Sequence, residues 1–188
     1  ILYRLVGSEM CIRDRIKGSA INNDGANKLS YTAPNIDAQC KVICEALAVA
    51  EVDAETVGYV EAHGTGTKLG DPAEISALTD AFRSYTEEKD FCAIGSVKSN
   101  IGHLDAAAGV AGFIKTALAL KHGKIPPTLH VDTPNPQINF PETPFHVANK
   151  TLAWPESQSP NRAGISSFAV GGTNAPVSYT HLRAHETV

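Results

Sequence analysis

Apolar residues recur along this chain with two spacings, which predict strands and helices in alternation. Short apolar runs predict strands at residues 57–62, 91–95 and 162–170, and a short mixed segment at residues 15–21 is compatible with another strand. Apolar residues three and four positions apart predict helices at residues 36–50, 71–85 and 102–122. This order of elements indicates an α/β layered fold.

The same spacing predicts which helix faces are buried. Asn35 is the expected N-cap of the first helix, and its inward residues are Ile36, Val42, Ile43, Ala46, Leu47 and Ala50. Gly123 is the expected end of the third helix, and its inward residues are Val110, Phe113, Ile114, Ala117 and Leu118. Residues 124–163 are rich in Pro and turn formers, which predicts short extended pieces.

Composition narrows the function classes. The 188 residues carry a net charge of −4, which gives no electrostatic reason to expect nucleic acid or an anionic membrane as a partner. No apolar run reaches the roughly 18 residues that a membrane span needs. The four cysteines form no C-x-x-C pair, so a reducing, cytoplasmic setting fits best. Because the first residue is Ile, we expect the natural reading frame to begin elsewhere.

The first chemically rich segment is E-A-H-G-T-G-T-K-L-G-D-P-A-E, at residues 61–74. His63 leaves a predicted strand and enters a loop whose glycines allow close approach of a ligand to the backbone. Thr65 and Thr67 alternate with these glycines, and their hydroxyls can hydrogen-bond an amide-bearing ligand.

Two further segments lie at strand ends, where α/β proteins place their sites. The first, K-S-N-I-G-H-L-D-A-A-A-G at residues 98–109, sets Lys98 and His103 beside the expected start of a helix, where developing negative charge is favoured. The second, G-I-S-S-F-A-V-G-G-T-N at residues 164–174, ends at Gly171 and Gly172. Such a turn can leave backbone N–H groups free for an oxyanion.

Competing motifs do not fit. Gly64, Gly66 and Gly70 are spaced one residue too far apart for a dinucleotide fingerprint, and Lys68 does not complete a P-loop. His63 and His103 have no Cys or His at zinc-ligand spacing. A lone histidine after a strand is usually structural, so the three segments carry weight only in combination.

In this order, the three segments resemble the β-ketoacyl synthase domain of type I polyketide synthases. K-G-S-A-I-N-N-D-G at residues 17–25 and P-N-P-Q-I-N-F at residues 134–140 resemble the same family. The resemblance covers residues 16–175 and implies the C-terminal half of a thiolase-like layered α/β fold. It also implies a decarboxylative Claisen condensation of an acyl thioester with a malonyl-type acyl carrier protein, in polyketide or fatty-acid biosynthesis.

The resemblance assigns roles by motif. His63 and His103 match the histidines that stabilise the enolate, and Lys98 matches the family's essential lysine. Thr65 and Thr67 match positions that hold the pantetheine arm, and the backbone N–H of Val170 matches an oxyanion donor. The supporting residues are Asp71, Glu74, Asp105, Gly171 and Gly172.

The resemblance further implies that no cofactor is bound directly, because substrates arrive on the phosphopantetheine of an acyl carrier protein. The expected partners are that carrier, the acyltransferase and other modules of the same megasynthase, and a second ketosynthase copy in a homodimer. Nucleic acid, a membrane and a metal are not expected.

The family's nucleophilic cysteine sits in a T-A-C-S-S type motif upstream of the first histidine, and this chain has no such motif. None of its cysteines has the expected small hydroxyl neighbours; these are Cys11, Cys40, Cys44 and Cys92. We therefore expect a fragment that is inactive alone. Residues 1–15 and 176–188 resemble nothing in the family, and we expect them to be non-native tails.

Three other functions remain open from the sequence. A non-catalytic chain-length partner or dimerisation scaffold would share the fold but would have no need of His63, His103 and Lys98. A degradative thiolase would be expected to have a second Cys near the end and to lack the segment at residues 98–103. A fatty-acid or polyunsaturated-lipid synthase of similar architecture fits the same motifs.

Overall fold

The computed structural model describes residues 14–25, 33–154, 160–169 and 171–181. The helices are α1 Ile36–Ala50, α2 Gly70–Arg83, α3 Lys98–Ile101 and α4 Ala108–His122. The strands are β1 Asp14–Ser19, β2 Asn22–Asn23, β3 Val57–Glu61, β4 Cys92–Gly95, β5 Lys124–Ile125, β6 Phe145–Val147, β7 Leu152–Ala153, β8 Arg162–Phe168 and β9 Thr173–His181.

One mixed sheet organises the described residues. Its strands lie in the order β1-β9-β8-β3-β4-β6, and β2 pairs with β9 at one end. Strands β8, β3, β4 and β6 run parallel, whereas β9 pairs antiparallel with both β8 and β1. The carboxyl ends of the parallel strands therefore share one edge, where α/β proteins bind ligands.

Helices cover both faces of this sheet, which is the layered α/β arrangement predicted from the sequence. On one face, α1 and α2 pack against Val60 and Ile94 in the larger core cluster. On the other face, α4 packs against Tyr59 and Ala93 through Ala119 and Leu120. Successive residues of β3 and β4 thus face opposite helix layers, as the alternation of side chains along a strand requires.

Local signals act at the helix ends as predicted. The Asn35 side chain accepts a hydrogen bond from the Ala38 N–H at 3.1 Å and caps α1. Gly123 ends α4 in the left-handed region with φ 61°. The predicted inward face of α1 is confirmed apart from Ile36, which is exposed.

The start of α4 and three of its five predicted inward residues were predicted wrongly, whereas Phe113 and Ala117 pack against the core as predicted. The helix begins at Ala108, five residues after His103, so its N-terminus is not beside that histidine. Val110, Ile114 and Leu118 are exposed. The buried residues are the smaller Ala108, Gly112, Thr116 and Ala119, together with Leu120. Small side chains let this helix lie close to the sheet, and they leave the bulkier apolar residues on its outer face.

The C-terminal strand arrangement also differs from the prediction. The strand expected to be last, β8, ends at Phe168 and is followed by β9, which lies between β8 and β1. Strand β6 lies within the Pro-rich segment and extends the main sheet beside β4. The domain boundaries at residues 16 and 175 stay predictions, and they fall within β1 and β9. Of the helices described, none is long and apolar enough to cross a bilayer.

Candidate active site

Three predicted segments meet at the carboxyl edge of the parallel strands. His63 follows β3, Lys98 follows β4, and Phe168 ends the neighbouring strand β8. The His63 and His103 rings are in edge-to-face contact, with centroids 5.6 Å apart and planes at 83°. Parallel strands with adjacent ends therefore bring together residues that lie far apart in the sequence.

Two neighbouring elements fix the position of His63. The buried Glu74 carboxylate accepts the His63 N–H through Oε1 at 2.7 Å and the Gly64 N–H through Oε2 at 2.8 Å. On the other side, the Phe168 N–H donates to His63 Nδ1 at 3.4 Å, and the Phe168 ring lies against the imidazole. Helix α2 thus holds the backbone of His63, and β8 orients its ring.

His103 is oriented by the chain that follows it. The Asp105 N–H donates to His103 Nδ1 at 2.9 Å, and Asp105 adopts a positive φ of 50°. Asp105 was predicted as a supporting residue, and it contacts this histidine through its backbone rather than its carboxylate. The ring itself is exposed among the described residues.

Both imidazoles therefore have the same tautomer when neutral. A backbone N–H can only donate, so Nδ1 of His63 and Nδ1 of His103 each act as an acceptor and carry no proton. The ring proton is then on Nε2 in both residues. The site presents two Nε2–H donors from one pair of contacting rings.

The charges around His63 favour its neutral form. Burial, followed by the charges of Lys98 and His103, lowers the pKa of His63 to about 4. Burial also lowers the pKa of Lys98, against the opposing effect of Glu74, Glu61 and Asp71. His63 is thus uncharged at neutral pH beside a lysine that three carboxyl groups help to keep protonated.

The acidic residues of α2 have raised pKa values. Burial raises the pKa of Glu74 to about 7, although the N–H groups of Gly64 and His63 act in the opposite direction. Burial also raises the pKa of Asp71, against hydrogen bonds from the backbone of residues 65–67. Both carboxyl groups lie on a wall of a cavity of about 370 Å³ that Lys98 also lines.

The glycine-rich loop after His63 is held by its own side chains. Asp71 Oδ1 accepts the Gly66 N–H at 3.0 Å, and Thr67 Oγ1 accepts the Gly70 N–H at 3.0 Å. Thr65 Oγ1 lies 3.3 Å from Thr67 Oγ1, and both threonines are exposed. These hydroxyls are therefore accessible to a ligand while the loop keeps its shape.

Gly64 is required by close packing. It has a positive φ of 46°, and a Cβ atom there would lie 2.7 Å from Ser96 Cβ. Ser96 itself donates from Oγ to the Gly64 carbonyl at 3.2 Å and accepts the Lys98 N–H at 3.4 Å. Ser96 thus connects the His63 loop to the Lys98 segment, a role that the sequence did not indicate.

The third segment forms a tight turn between β8 and β9. The Gly172 N–H donates to the Ala169 carbonyl at 2.9 Å, so this amide is used within the turn and is not available to an oxyanion. Gly171 and Gly172 have positive φ values of 105° and 94°. Val170, the predicted oxyanion donor, lies outside the described residues.

Phe168 is the main site residue that the sequence analysis missed. Its amide and ring both contact His63, and it lies within the segment S-S-F-A-V-G-G, whose glycines were the predicted feature. The aromatic residue that ends a strand immediately before the turn was the signal available.

Two cysteines of the described residues have raised pKa values. Burial raises the pKa of Cys40 to about 11, and burial also raises the pKa of Cys92. Cys40 and Cys44 are on α1, and Cys92 begins β4 within the core. A raised pKa keeps a thiol protonated and therefore weakly nucleophilic. Cys11 lies outside the described residues.

Among the residues described, no group of His, Cys, Asp and Glu side chains could hold a metal ion.

Comparisons with known proteins identify the family of this chain. Residues 14–132 match the family described as Beta-ketoacyl synthase, C-terminal domain. The chain is 56% identical over 163 residues to a component of the phenolphthiocerol/phthiocerol polyketide synthase of Mycobacterium tuberculosis. It is 49% identical over 160 residues to polyketide synthase PksN of Bacillus subtilis.

Solved structures show the same fold. Ketosynthase twelve from the bacillaene polyketide synthase of Bacillus amyloliquefaciens matches with a TM-score of 0.87 and 48% identity, over 89% of this chain and 30% of that one. The described fold is thus part of the thiolase-like layered α/β fold of ketosynthases. The two curated relatives are matched over 86% and 85% of this chain, which spans 11% and 3% of their lengths.

Proposed function

Because this chain belongs to the β-ketoacyl synthase family, as a C-terminal ketosynthase domain of polyketide-synthase type, we propose that it supplies the histidine and lysine part of a condensing active site. The reaction is a decarboxylative Claisen condensation of an acyl thioester with a malonyl-type thioester on an acyl carrier protein, in polyketide or fatty-acid biosynthesis. The observation that carries this proposal is the pair of contacting imidazoles, each with Nδ1 bound by a backbone N–H.

The two histidines act where negative charge develops. In the malonyl thioester, the bond to the carboxylate carbon breaks, CO₂ leaves, and the electron pair forms an enolate. The Nε2–H groups of His63 and His103 donate to the enolate oxygen as its charge grows. The enolate carbon then attacks the carbonyl carbon of the acyl thioester, and the thiolate leaves as the new C–C bond forms.

Lys98 and Glu74 keep His63 neutral and fixed in position for this role. The charge of Lys98 is the second cause of the lowered pKa of His63, so it favours the neutral imidazole that can donate from Nε2 and accept at Nδ1. Glu74 fixes the backbone at residues 63 and 64 through two hydrogen bonds. Neither residue needs to move during the reaction, which is the condition for preorganised stabilisation of charge.

The remaining site residues receive supporting roles. Thr65 and Thr67 offer exposed hydroxyls for the amides of the phosphopantetheine arm, and Asp71 holds their loop. Asp105 orients His103. The Val170 N–H is proposed as an oxyanion donor, and Gly171 and Gly172 are proposed as supporting residues of the same segment. No cofactor is bound directly in this scheme.

We propose that the nucleophilic cysteine comes from sequence outside this chain, since burial raises the pKa of two of its described thiols. The chain alone is then inactive, and residues 16–175 form the ketosynthase portion. Its partners are an acyl carrier protein, the acyltransferase and other modules of the same synthase, and a second ketosynthase copy, in the cytoplasm.

The test is the release of CO₂ from a malonyl-loaded carrier protein by the complete ketosynthase that contains this chain. We expect His63→Ala and His103→Ala each to lower the rate about a hundredfold or more. The control is His146→Ala, on the edge strand β6 where the ring contacts Asp90, which keeps the wild-type rate. In the same assay with an added acyl carrier thioester, the isolated chain gives no β-ketoacyl product.

Three outcomes would contradict the proposal. They are a wild-type protein that releases no CO₂, histidine variants that release it at the wild-type rate, and a β-ketoacyl product from the isolated chain above background. A non-catalytic chain-length partner or scaffold would bind the carrier protein and give the first outcome.

A further inference from the structure

One buried carboxylate contacts β3, the residue that leads into the Lys98 segment, and helix α4, which begins five residues after His103. Glu61 is 2% exposed and lies two residues before His63 at the end of β3. Its Oε1 accepts the Val97 N–H at 2.6 Å. Val97 immediately precedes Lys98, so this bond joins the end of β3 to the start of the Lys98 segment.

The other oxygen of Glu61 faces helix α4. Oε2 accepts the Tyr59 hydroxyl at 2.5 Å and lies 2.8 Å from Lys115 Nζ. The Lys115 side chain is 9% exposed, and its ammonium lies 5.5 Å from the centre of the Tyr59 ring. The Lys115 contact lacks the alignment of a hydrogen bond, so charge attraction holds it.

The helix is shaped to accept this carboxylate. Gly112 is buried where α4 passes Glu61, and a Cβ atom at this position would lie 3.1 Å from Glu61 Cγ. Lys115 is one turn further along, close to the buried positions 112, 116 and 119. The partly buried lysine and the glycine opposite the buried glutamate both indicate that the sequence of α4 accommodates this ion pair.

Stability alone does not account for such a pair. Taking two charges out of water costs about as much as their attraction returns, and an apolar pair of similar volume is often as stable or more stable. A buried ion pair does fix the relative position of its two partners, because moving either one leaves an uncompensated charge. The pair therefore restricts the relative positions of β3, the Lys98 segment and α4.

We infer that Glu61 and Lys115 form a positioning pair that sets the Lys98 and His103 segments against His63. The inference rests on the proposed function and adds two residues that do not touch the reacting atoms. A displacement of about 1 Å in an active site can cost a hundredfold in rate. The two histidines must act on one oxygen, so loss of the pair is expected to affect decarboxylation and to spare acylation of the nucleophile.

The test measures two half-reactions of the complete ketosynthase: acylation by an acyl thioester, and CO₂ release from a malonyl-loaded carrier protein. We expect Glu61→Gln and Lys115→Met each to slow CO₂ release about tenfold to a hundredfold, with acylation within about twofold of wild type. Because the residues act as a unit, the double variant should lose no more than the slower single variant. Matched controls are the exposed Glu45→Gln and Lys41→Met on α1, which keep both rates.

CO₂ release at the wild-type rate in the folded single variants would overturn the inference. So would an equal decrease in the rates of both half-reactions that parallels a decrease in the unfolding temperature. If neither single variant folds, Tyr59→Phe decides, since it removes one hydroxyl donor to Glu61. We expect it to slow CO₂ release roughly threefold to tenfold, and an unchanged rate overturns the inference. Wild-type protein that releases no CO₂ would instead contradict the proposed function itself.

Discussion

At the scale of single residues, His63 shows how a fold can keep a histidine uncharged. Its imidazole is half-buried, it lies near the Lys98 ammonium, and its Nδ1 is bound by the Phe168 N–H. All three features oppose a second ring proton. The motif in the sequence identified this histidine, but its tautomer depends on a backbone amide 105 residues further along the chain.

We predict that His63 titrates near pH 4 rather than near the ordinary value of 6.5. Because its pKa in the folded protein lies below the unfolded value, its contribution to stability is present above pH 6.5 and is lost as the pH falls through 4. NMR of histidine ring carbons in the isotope-labelled protein measures the midpoint, and the spectrum of His63→Gln assigns the signal.

Lys98→Met provides the control for this titration. Removing the lysine charge takes away the second cause of the shift and leaves burial, the first cause, in place. The His63 pKa should therefore rise in this variant but stay below 6.5. A wild-type midpoint of 6 or higher would show that the ring is more hydrated than its position indicates.

At the scale of elements, the sequence correctly predicted the features that depend only on neighbouring residues. The cap at Asn35, the stop at Gly123 and the short parallel strands β3 and β4 all follow from nearby residues. The inward face of α4 followed only in part, because both sides of this helix are apolar and the sequence does not indicate which side packs on the sheet. Strand β9 was missed because Gly171 and Gly172 suggested an end, whereas they form a turn between two antiparallel strands.

The packing of β1 against α1 gives a prediction at this scale. A Cβ atom at Gly18 would lie 2.6 Å from Ala50 N and 2.9 Å from Ala46 O, both of which are backbone atoms that cannot move aside freely. Gly18→Ala should therefore destabilise the protein by about 1–3 kcal/mol. The thermal unfolding midpoint of the complete ketosynthase measures this change.

The adjacent Ser19→Ala is the matched control, since Ser19 is in the same strand and its side chain is exposed. We expect its unfolding midpoint to equal that of wild type. Equal midpoints for the Gly18 and Ser19 variants would mean that β1 does not pack on α1 as described.

At the scale of the whole molecule, the outer face of α4 is apolar and uncovered. Val110, Ile114 and Leu118 are 56%, 54% and 48% exposed, and they follow one another at every fourth residue. Ile101 and Leu104 extend the same surface and line a groove beside the helix. Contiguous apolar surface of this kind is typical of an interface. The solved ketosynthase matched above is about three times as long as the matched region, since this chain covers 30% of it.

We predict that this α4 face makes the isolated chain associate with itself, because exposed apolar surface is removed from water when two copies meet. The double variant Ile114→Glu/Leu118→Glu should shift the isolated chain towards monomer in analytical ultracentrifugation, since like charges would then face each other.

The same double variant in the complete ketosynthase should prevent folding or lower its unfolding midpoint, because the charges would be buried against the rest of the domain. Val49→Glu, at an exposed apolar position on α1, is the control and should change neither measurement. A monodisperse wild-type monomer with a sharp thermal transition would contradict the prediction and would show that the face is stable in water.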